Sequence, residues 1–410
     1  MFHFRKRAAT LAAALMPAVG GAASLTLDQA VTLAVERSEA ARAARADATG
    51  AREIARAAAQ LPDPTLSVGI DNLTATGGDR FDPGADSMTM KRLGISQEWV
   101  SRAKREARQA AADAQAQRQA ATADAAIAQA RLQAALAYVD AFYSAQALAL
   151  VELDEHHAHE ELEAAKGRLA GAAGSGQEVL ALAGAHGIVE DASAEARQAQ
   201  ADAALMLQRW IGIAPERLDA PTIAPAPGEA DYVAAEPAVR AAQRELDVAR
   251  AEASAVAAER DPDWTWQASW GQRQGRPDMV SFGVSIPLPV ARAERQDRQV
   301  AARVARIETA QARLEETRRA ATADYRSLSS DAARLALRIE RLADAAVRPA
   351  RQRTEAALAG YRSNQGGLGG LFEARHAEVD VQRRLLSLQR DLARTRARLA
   401  YTPLVEGGQP

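Results

Sequence analysis

Trp264-Thr265-Trp266-Gln267-Ala268-Ser269-Trp270 and Val280-Ser281-Phe282-Gly283-Val284-Ser285-Ile286-Pro287-Leu288 alternate bulky apolar residues with small or polar ones. Period two marks a strand with one apolar and one polar face. Leu66, Val68 and Ile70 alternate in the same way with Ser67, Gly69 and Asp71, and Leu93 and Ile95 belong to a weaker run ending at Trp99. Strands are therefore expected at about 64–73, 87–99, 263–271 and 278–289. Each is about ten residues, the length a tilted strand needs to cross a bilayer. Thr74 to Asp86 and Gly271 to Asp278 read as hairpin loops. Trp99, Trp264, Trp266 and Trp270 are four of the five tryptophans, the residue type that membrane barrels place in interfacial girdles.

Outward from the strands the pattern becomes helical. Residues 26 to 60 end at Leu61-Pro62-Asp63-Pro64, where two prolines forbid continuation. From about Arg102 to Leu169 no proline occurs, which allows roughly 100 Å of helix. Leu132, Leu136, Val139, Tyr143, Gln146, Leu150 and Leu153 are spaced alternately by four and three, the seam of a coiled coil. Val381, Leu385, Leu388, Leu392, Thr395 and Leu399 repeat that spacing, and Leu335, Ile339 and Leu342 do so briefly. Taken alone, the strands suit a soluble sheet as well as a membrane barrel, and the helices suit a soluble periplasmic coiled-coil scaffold.

The N-terminus, together with the helix length, turns the reading toward the barrel, with the soluble periplasmic scaffold kept as the rival. Arg5, Lys6 and Arg7 precede the apolar stretch Ala8 to Val19, and Gly21-Ala22-Ala23 supplies a peptidase site, so 1–23 reads as a secretory signal. No later stretch approaches the ~20 consecutive apolar residues of a membrane helix. An exported chain with long helices and bilayer-length strands points to an outer-membrane β-protein.

Composition narrows function further. About a quarter of the 410 residues are Ala and only 4% are aromatic, so the apolar fraction serves close helix packing rather than a bulky core. Fifty-one basic against 53 acidic residues leave no positive field for a polyphosphate, which excludes general nucleic-acid binding. With no Cys, disulfides, thiolate metal sites and thioether lipid anchors are excluded. No phosphate loop or nucleophile motif occurs, so neither enzymatic activity nor a cofactor is expected.

The organisation is duplicated. Helix, Asp63-Pro64, hairpin, long helix, glycine-rich break and helix recur as helix, Asp261-Pro262, hairpin, long helix, glycine-rich break and helix. The two repeats occupy 24–220 and 236–410, joined by a Pro-containing linker at 221–235. The breaks, Gly171-Ala172-Ala173-Gly174-Ser175-Gly176 and Gly366-Gly367-Leu368-Gly369-Gly370, place helical hairpin tips at about 171–180 and 364–371. His156, His157 and His159 stand in an acidic stretch, and at i, i+3 His156 and His159 are candidates to share a metal.

Leu25-Thr26-Leu27-Asp28-Gln29-Ala30-Val31-Thr32-Leu33-Ala34, Leu61-Pro62-Asp63-Pro64 and the paired Leu93-Gly94-Ile95-Ser96 and Phe282-Gly283-Val284-Ser285 resemble the TolC-like outer-membrane factor family over essentially the whole mature chain. The resemblance implies a mainly α protein with a small membrane β part. Each protomer of a homotrimer would give four strands to one 12-stranded barrel, continued into the periplasm by a coiled-coil α-barrel. It implies a passive outer-membrane duct whose partners are a periplasmic adaptor and an inner-membrane RND pump. Gly69-Ile70-Asp71-Asn72-Leu73 and Asp86-Ser87-Met88-Thr89-Met90-Lys91-Arg92-Leu93-Gly94 are most similar to the heavy-metal branch, the CzcC-like and CusC-like channels, implying a metal-cation cargo. A duct for organic drugs or secreted proteins is the alternative. The family's aperture lock is matched at Tyr361 and Glu373, with Gly366 and Gly370 where its Arg and first acid would fall. Adaptor contact is implied at Gly174, Ser175, Gly176, Leu180, Gly367, Leu368, Gly370 and Leu371.

Overall fold

The computed structural model describes residues 24–403; the signal segment 1–23 and its cleavage site lie outside them. Helices α1 (Leu27–Arg37) and α2 (Glu39–Ala57) lead into β1 (Thr65–Asp71) and β2 (Met90–Trp99), followed by α3 (Arg102–Ala170) and α4 (Gly176–Ile211). The same order returns as α5 (Glu229–Ala235), α6 (Pro237–Ala258), β3 (Trp264–Arg273), β4 (Met279–Ser285), α7 (Gln296–Leu342), α8 (Arg348–Arg362) and α9 (Leu368–Tyr401).

Several boundaries differ from the expected ones for local reasons. The run over 26–60 breaks at Ser38, whose side chain accepts the Ala41 N–H and starts α2 afresh. Glu236 does the same in the second repeat, accepting Val239 N–H ahead of Pro237. The second half of the linker is therefore helix α5 rather than coil. β1 ends at Asp71 because Asn72 turns into the left-handed region (φ 55), and its side chain donates to Met88 O across the loop base. β3 runs on to Arg273, while β4 stops at Ser285, before Pro287 and Pro289, which have no N–H for a ladder.

α3 is 69 residues without a break. Its counterpart is interrupted: a π-helical segment, Ala343–Val347, separates α7 from α8. Pro349 follows it at the start of α8; its missing N–H leaves a carbonyl one turn back without a partner, and the wider turn absorbs that defect.

The four strands form one antiparallel sheet in the order β1-β2-β3-β4. Register puts Leu66, Ile95, Ala268 and Phe282 in one row and Val68, Leu93, Trp270 and Val280 in the next. Facing the other way, Ser67, Gly94, Ser269 and Ser281 are in register. The apolar rows are open to solvent in the single chain, Phe282 to 83%. The polar face is crowded: a Cβ on Gly94 would lie 2.7 Å from Ser67 Oγ, and one on Gly283 2.8 Å from Gln267 Nε2. Small residues thus sit where neighbouring side chains on this face leave no room for a Cβ.

Helices are sewn to the sheet by a buried charge. Lys104, at the start of α3, is 2.8 Å from Asp263 and 3.6 Å from Glu259, and Arg108 reaches Glu259 at 2.7 Å. Farther along, α3 packs against α1, α2, α4, α6 and α9. It contains an 18-residue window apolar enough to cross a membrane by length and composition, spread among alanines rather than gathered in one run. Of that window 39% is buried in the single chain; along α3 the alanines Ala128, Ala130, Ala134, Ala135, Ala137 and Ala141 are buried. At the centre Tyr138 is fully buried, its hydroxyl 2.6 Å from Leu25 O and 2.8 Å from Asp219 O. Burial, then the Asp219 carboxylate, push this phenol up to about 12.

The expected seam of α3 slips by one residue. Val139 and Tyr143 follow it, but it then passes through Ala147 to Val151, leaving Gln146 exposed and Leu153 50% exposed. Consecutive steps of four are a stutter, which unwinds the coil locally. Beyond it the buried positions are Val151, Asp154, Ala158, Glu161, Leu162 and Ala165. On α9, Leu388 and Leu399 are buried as expected.

Candidate functional site

The end of the molecule remote from the sheet gathers two helical hairpins, α3–α4 and α8–α9. Both tips close by the same hydrogen bonds. Ala173 N–H donates to Arg168 O and Ala172 N–H to Leu169 O, while Gln365 N–H donates to Gly360 O and Asn364 N–H to Tyr361 O. This is the double capping of a Schellman motif. The left-handed residue in each turn is not a glycine but Ala172 (φ 57) and Asn364 (φ 61). Gly174 serves another need, since a Cβ there would lie 2.9 Å from Leu169 N. Ser175 then caps α4 by accepting Glu178 N–H, whereas Gly367 starts α9 without a side-chain cap.

The expected tip residues divide. Gly176, Gly367 and Gly370 have open space around the Cβ position, and Leu180 is 75% exposed. Leu368 (2% exposed) and Leu371 (3%) are instead buried. Leu368 packs with Leu162, Ala165 and Leu182 between the hairpins, because a leucine at the inner face of a tight helical turn points back into the bundle. Tyr361 and Phe372 are half-buried against the same cluster. Glu373 is exposed, and no ion pair engages it among the described residues.

Two buried carboxylates on α3 tie the hairpins together. Asp154 Oδ2 lies 3.0 Å from His376 Nδ1, and Glu161 Oε1 accepts Arg375 Nη1–H at 2.6 Å. Asp154 and Glu161 are seven residues apart, on one face, at positions where a coiled coil usually carries apolar residues. Burial pushes the Glu161 carboxyl up, more than Arg375 draws it down; its second oxygen is buried without a partner. Beside them His157 is lowered, by burial and then by Arg375. His376 also stacks on Phe372, ring centroids 5.7 Å apart. Sequence reading missed these pairs, although adjacent Arg375-His376 facing two acids at heptad spacing is a usable signal.

His156 and His159 do not share a site. His156 Nε2 sits 3.3 Å from Glu160, while His159 faces His186 on α4, with ring centroids 5.6 Å apart. Among the described residues, no group of three His, Cys, Asp or Glu side chains is arranged to hold a metal ion.

No family model matches the chain, and no curated protein matches it in sequence. Solved structures do match in fold. The chain is similar to the outer membrane protein VceC from Vibrio cholerae, with TM-score 0.74 and 18% identity over 93% of this chain and 97% of that one. It is similar to the open state of the Neisseria gonorrhoeae MtrE outer membrane channel, with TM-score 0.76 and 18% identity over 92% and 88%. CusC, solved in work on transmembrane channel formation, gives TM-score 0.75 and 14% identity over 92% of each chain. The chain has the fold of these outer-membrane channels, a long helical part joined to four strands.

Removing one partner of a buried ion pair leaves the other charge stranded. Arg375→Ala should therefore cost about 3 to 5 kcal/mol in urea unfolding of the detergent-purified protein, and Glu161→Met with Arg375→Met should recover most of it. Equal loss in both would show that the pair itself stabilises.

Folded His157 titrates below its ordinary value, so on acidification the unfolded chain takes up a proton first. Its contribution is present above about 6.5, the unfolded imidazole value, and is lost as pH falls through that window toward the folded value. His157→Gln should narrow the difference in melting temperature between about pH 7.5 and about pH 5.5. An unchanged difference counts against this assignment.

Proposed function

We propose that this chain is the outer-membrane duct of a tripartite efflux system, of the TolC-like outer-membrane factor type, acting as a homotrimer. The observation that carries the reading is the sheet. Its apolar rows are solvent-exposed in the single chain, and β1 and β4 each leave one edge unpaired. Open edges are not viable in hydrocarbon, where every backbone group needs a partner. Setting β4 of one copy beside β1 of the next closes twelve strands, with the Ser67, Gly94, Ser269 and Ser281 face turned to the lumen.

In this arrangement Trp99 and Trp264, paired at the helix-proximal end of the sheet, and Trp266 next to them mark the periplasmic interface, with Trp270 higher in the wall. α3, at roughly 100 Å, forms the periplasmic extension. A soluble scaffold has no use for so many exposed apolar strand residues. Transport is passive: an inner-membrane RND pump supplies the energy through a periplasmic adaptor. The exposed tip residues Gly176, Leu180, Gly367 and Gly370, beside Gly174 and Ser175, are the adaptor contact. Tyr361 and Glu373 form the aperture, closed by packing rather than by an ion pair.

The cargo is a metal cation. Gly69 to Leu73 and Asp86 to Gly94 support this by their resemblance to the heavy-metal branch; the likeness to CusC adds nothing to it, because its 14% identity does not exceed the 18% of VceC and MtrE.

Mass measurement in mild detergent should give a trimer, and Phe282→Lys should reduce its yield, at a cost of about 2 to 4 kcal/mol per chain at mid-bilayer. A monomer, or an unchanged yield in the variant, would overturn the barrel reading. Deleting the gene should sensitise cells to metal salts; sensitivity confined to organic dyes would move the cargo to the drug alternative. In planar bilayers Tyr361→Ala should raise conductance and Glu373→Gln should reduce cation preference. A channel indifferent to both has its constriction elsewhere.

A further inference from the structure

We infer that His159 and His186 form a two-imidazole site for a borderline divalent cation such as Cu2+, bridging α3 and α4. The site goes beyond the duct reading and does not depend on what the duct carries: a cation held there would be a resident clip on the hairpin, not cargo.

The pair arises from hairpin geometry. Antiparallel helices joined by a short turn bring residues equally far from it to the same height, and His159 and His186 lie at matching distances on either side of Ala172-Ala173. His159 is exposed and His186 half-buried, so the gap between the rings is open to solution. A cation bonded to one nitrogen of each ring at about 2 Å separates the ring centres by about 4.5 Å when the nitrogens are at right angles, about 5 Å at a tetrahedral angle and about 6 Å when they are opposed; here they are 5.6 Å apart with planes inclined at 53°, inside that range. The remaining histidines on these hairpins are differently placed: His156 and His376 face carboxylates, and His157 lies half-buried toward Arg375. Nearby acids are occupied as well, Glu163 by Lys166 and Glu155 by Arg197, both at 2.8 Å. Two imidazole nitrogens with water in the other positions suit Cu2+, Ni2+ and Zn2+, with Cu2+ tightest, and give no hold on Mg2+, which prefers oxygen.

The test uses the full-length, untagged protein in detergent, titrated with Cu2+ and followed by electron paramagnetic resonance. The expected result is one saturable site per chain with coupling to two nitrogens. His159→Gln and His186→Gln should each weaken it by at least about tenfold, through loss of one of two donor bonds, while His156→Gln leaves it unchanged. Both exchanges are at solvent-accessible positions, and unchanged helical circular dichroism verifies the fold. Affinity unaffected by either substitution, coupling to a single nitrogen, or an equal loss in His156→Gln would overturn the site.

Discussion

Everything in this chain depends on a sheet that is incomplete by itself. Four strands with one apolar face expose Leu66, Val68, Val280, Phe282 and Val284 to solvent and leave an unpaired row of N–H and C=O groups on β1 and on β4. The apolar face is costly in water and the unpaired edges are not viable in lipid. The proposed trimer answers both at once, since copies side by side pair the edges and leave the apolar face as a continuous outer band. The duplicated order of elements follows: each repeat contributes one hairpin to the sheet and one helical hairpin beyond it.

Beyond the sheet the physics changes from strand pairing to close helix packing. Buried alanines along α3 let neighbouring helices approach closely, and larger side chains are reserved for places where direction must be set, such as Tyr138 under the Leu25–Leu218 bridge. Among the described residues the buried charged side chains, Lys104, Asp154 and Glu161, all have partners. Lys104 with Asp263 and Glu259 joins helix to strand, and Asp154 with His376 and Glu161 with Arg375 join one hairpin to the other. Buried pairs contribute little net stability, whereas separating the partners strands a buried charge, a cost that sliding one hairpin past the other would incur.

Much of the fold was legible in the residues because the two periodicities are so different. Period two at Trp264 to Trp270 and a four-three spacing at Leu132 to Tyr143 identify strand and helix without ambiguity, and prolines at 62, 64 and 262 mark where one becomes the other. The site was less legible. Heptad reading assigns Leu150 and Leu153 to the seam, whereas the stutter through Ala147 moves it to Val151 and Asp154; a one-residue slip is invisible to a pattern tolerant of both. The same slip hid the acidic seam positions, and with them the partners of Arg375 and His376. Leu368 and Leu371 look like tip residues by position alone, and only the turn's handedness sends them inward.

The sequence by itself determined the element types, the duplication and the composition of each strand face, because these follow from local periodicity and from residues such as proline that act on their own backbone. Only the tertiary structure decided which acid meets which base across the hairpins, which histidine faces which, and where the seam slips. Those depend on helix rotation and relative height, and a chain with 3.6 residues per turn accumulates angular offset over a 69-residue helix that no short stretch of sequence records.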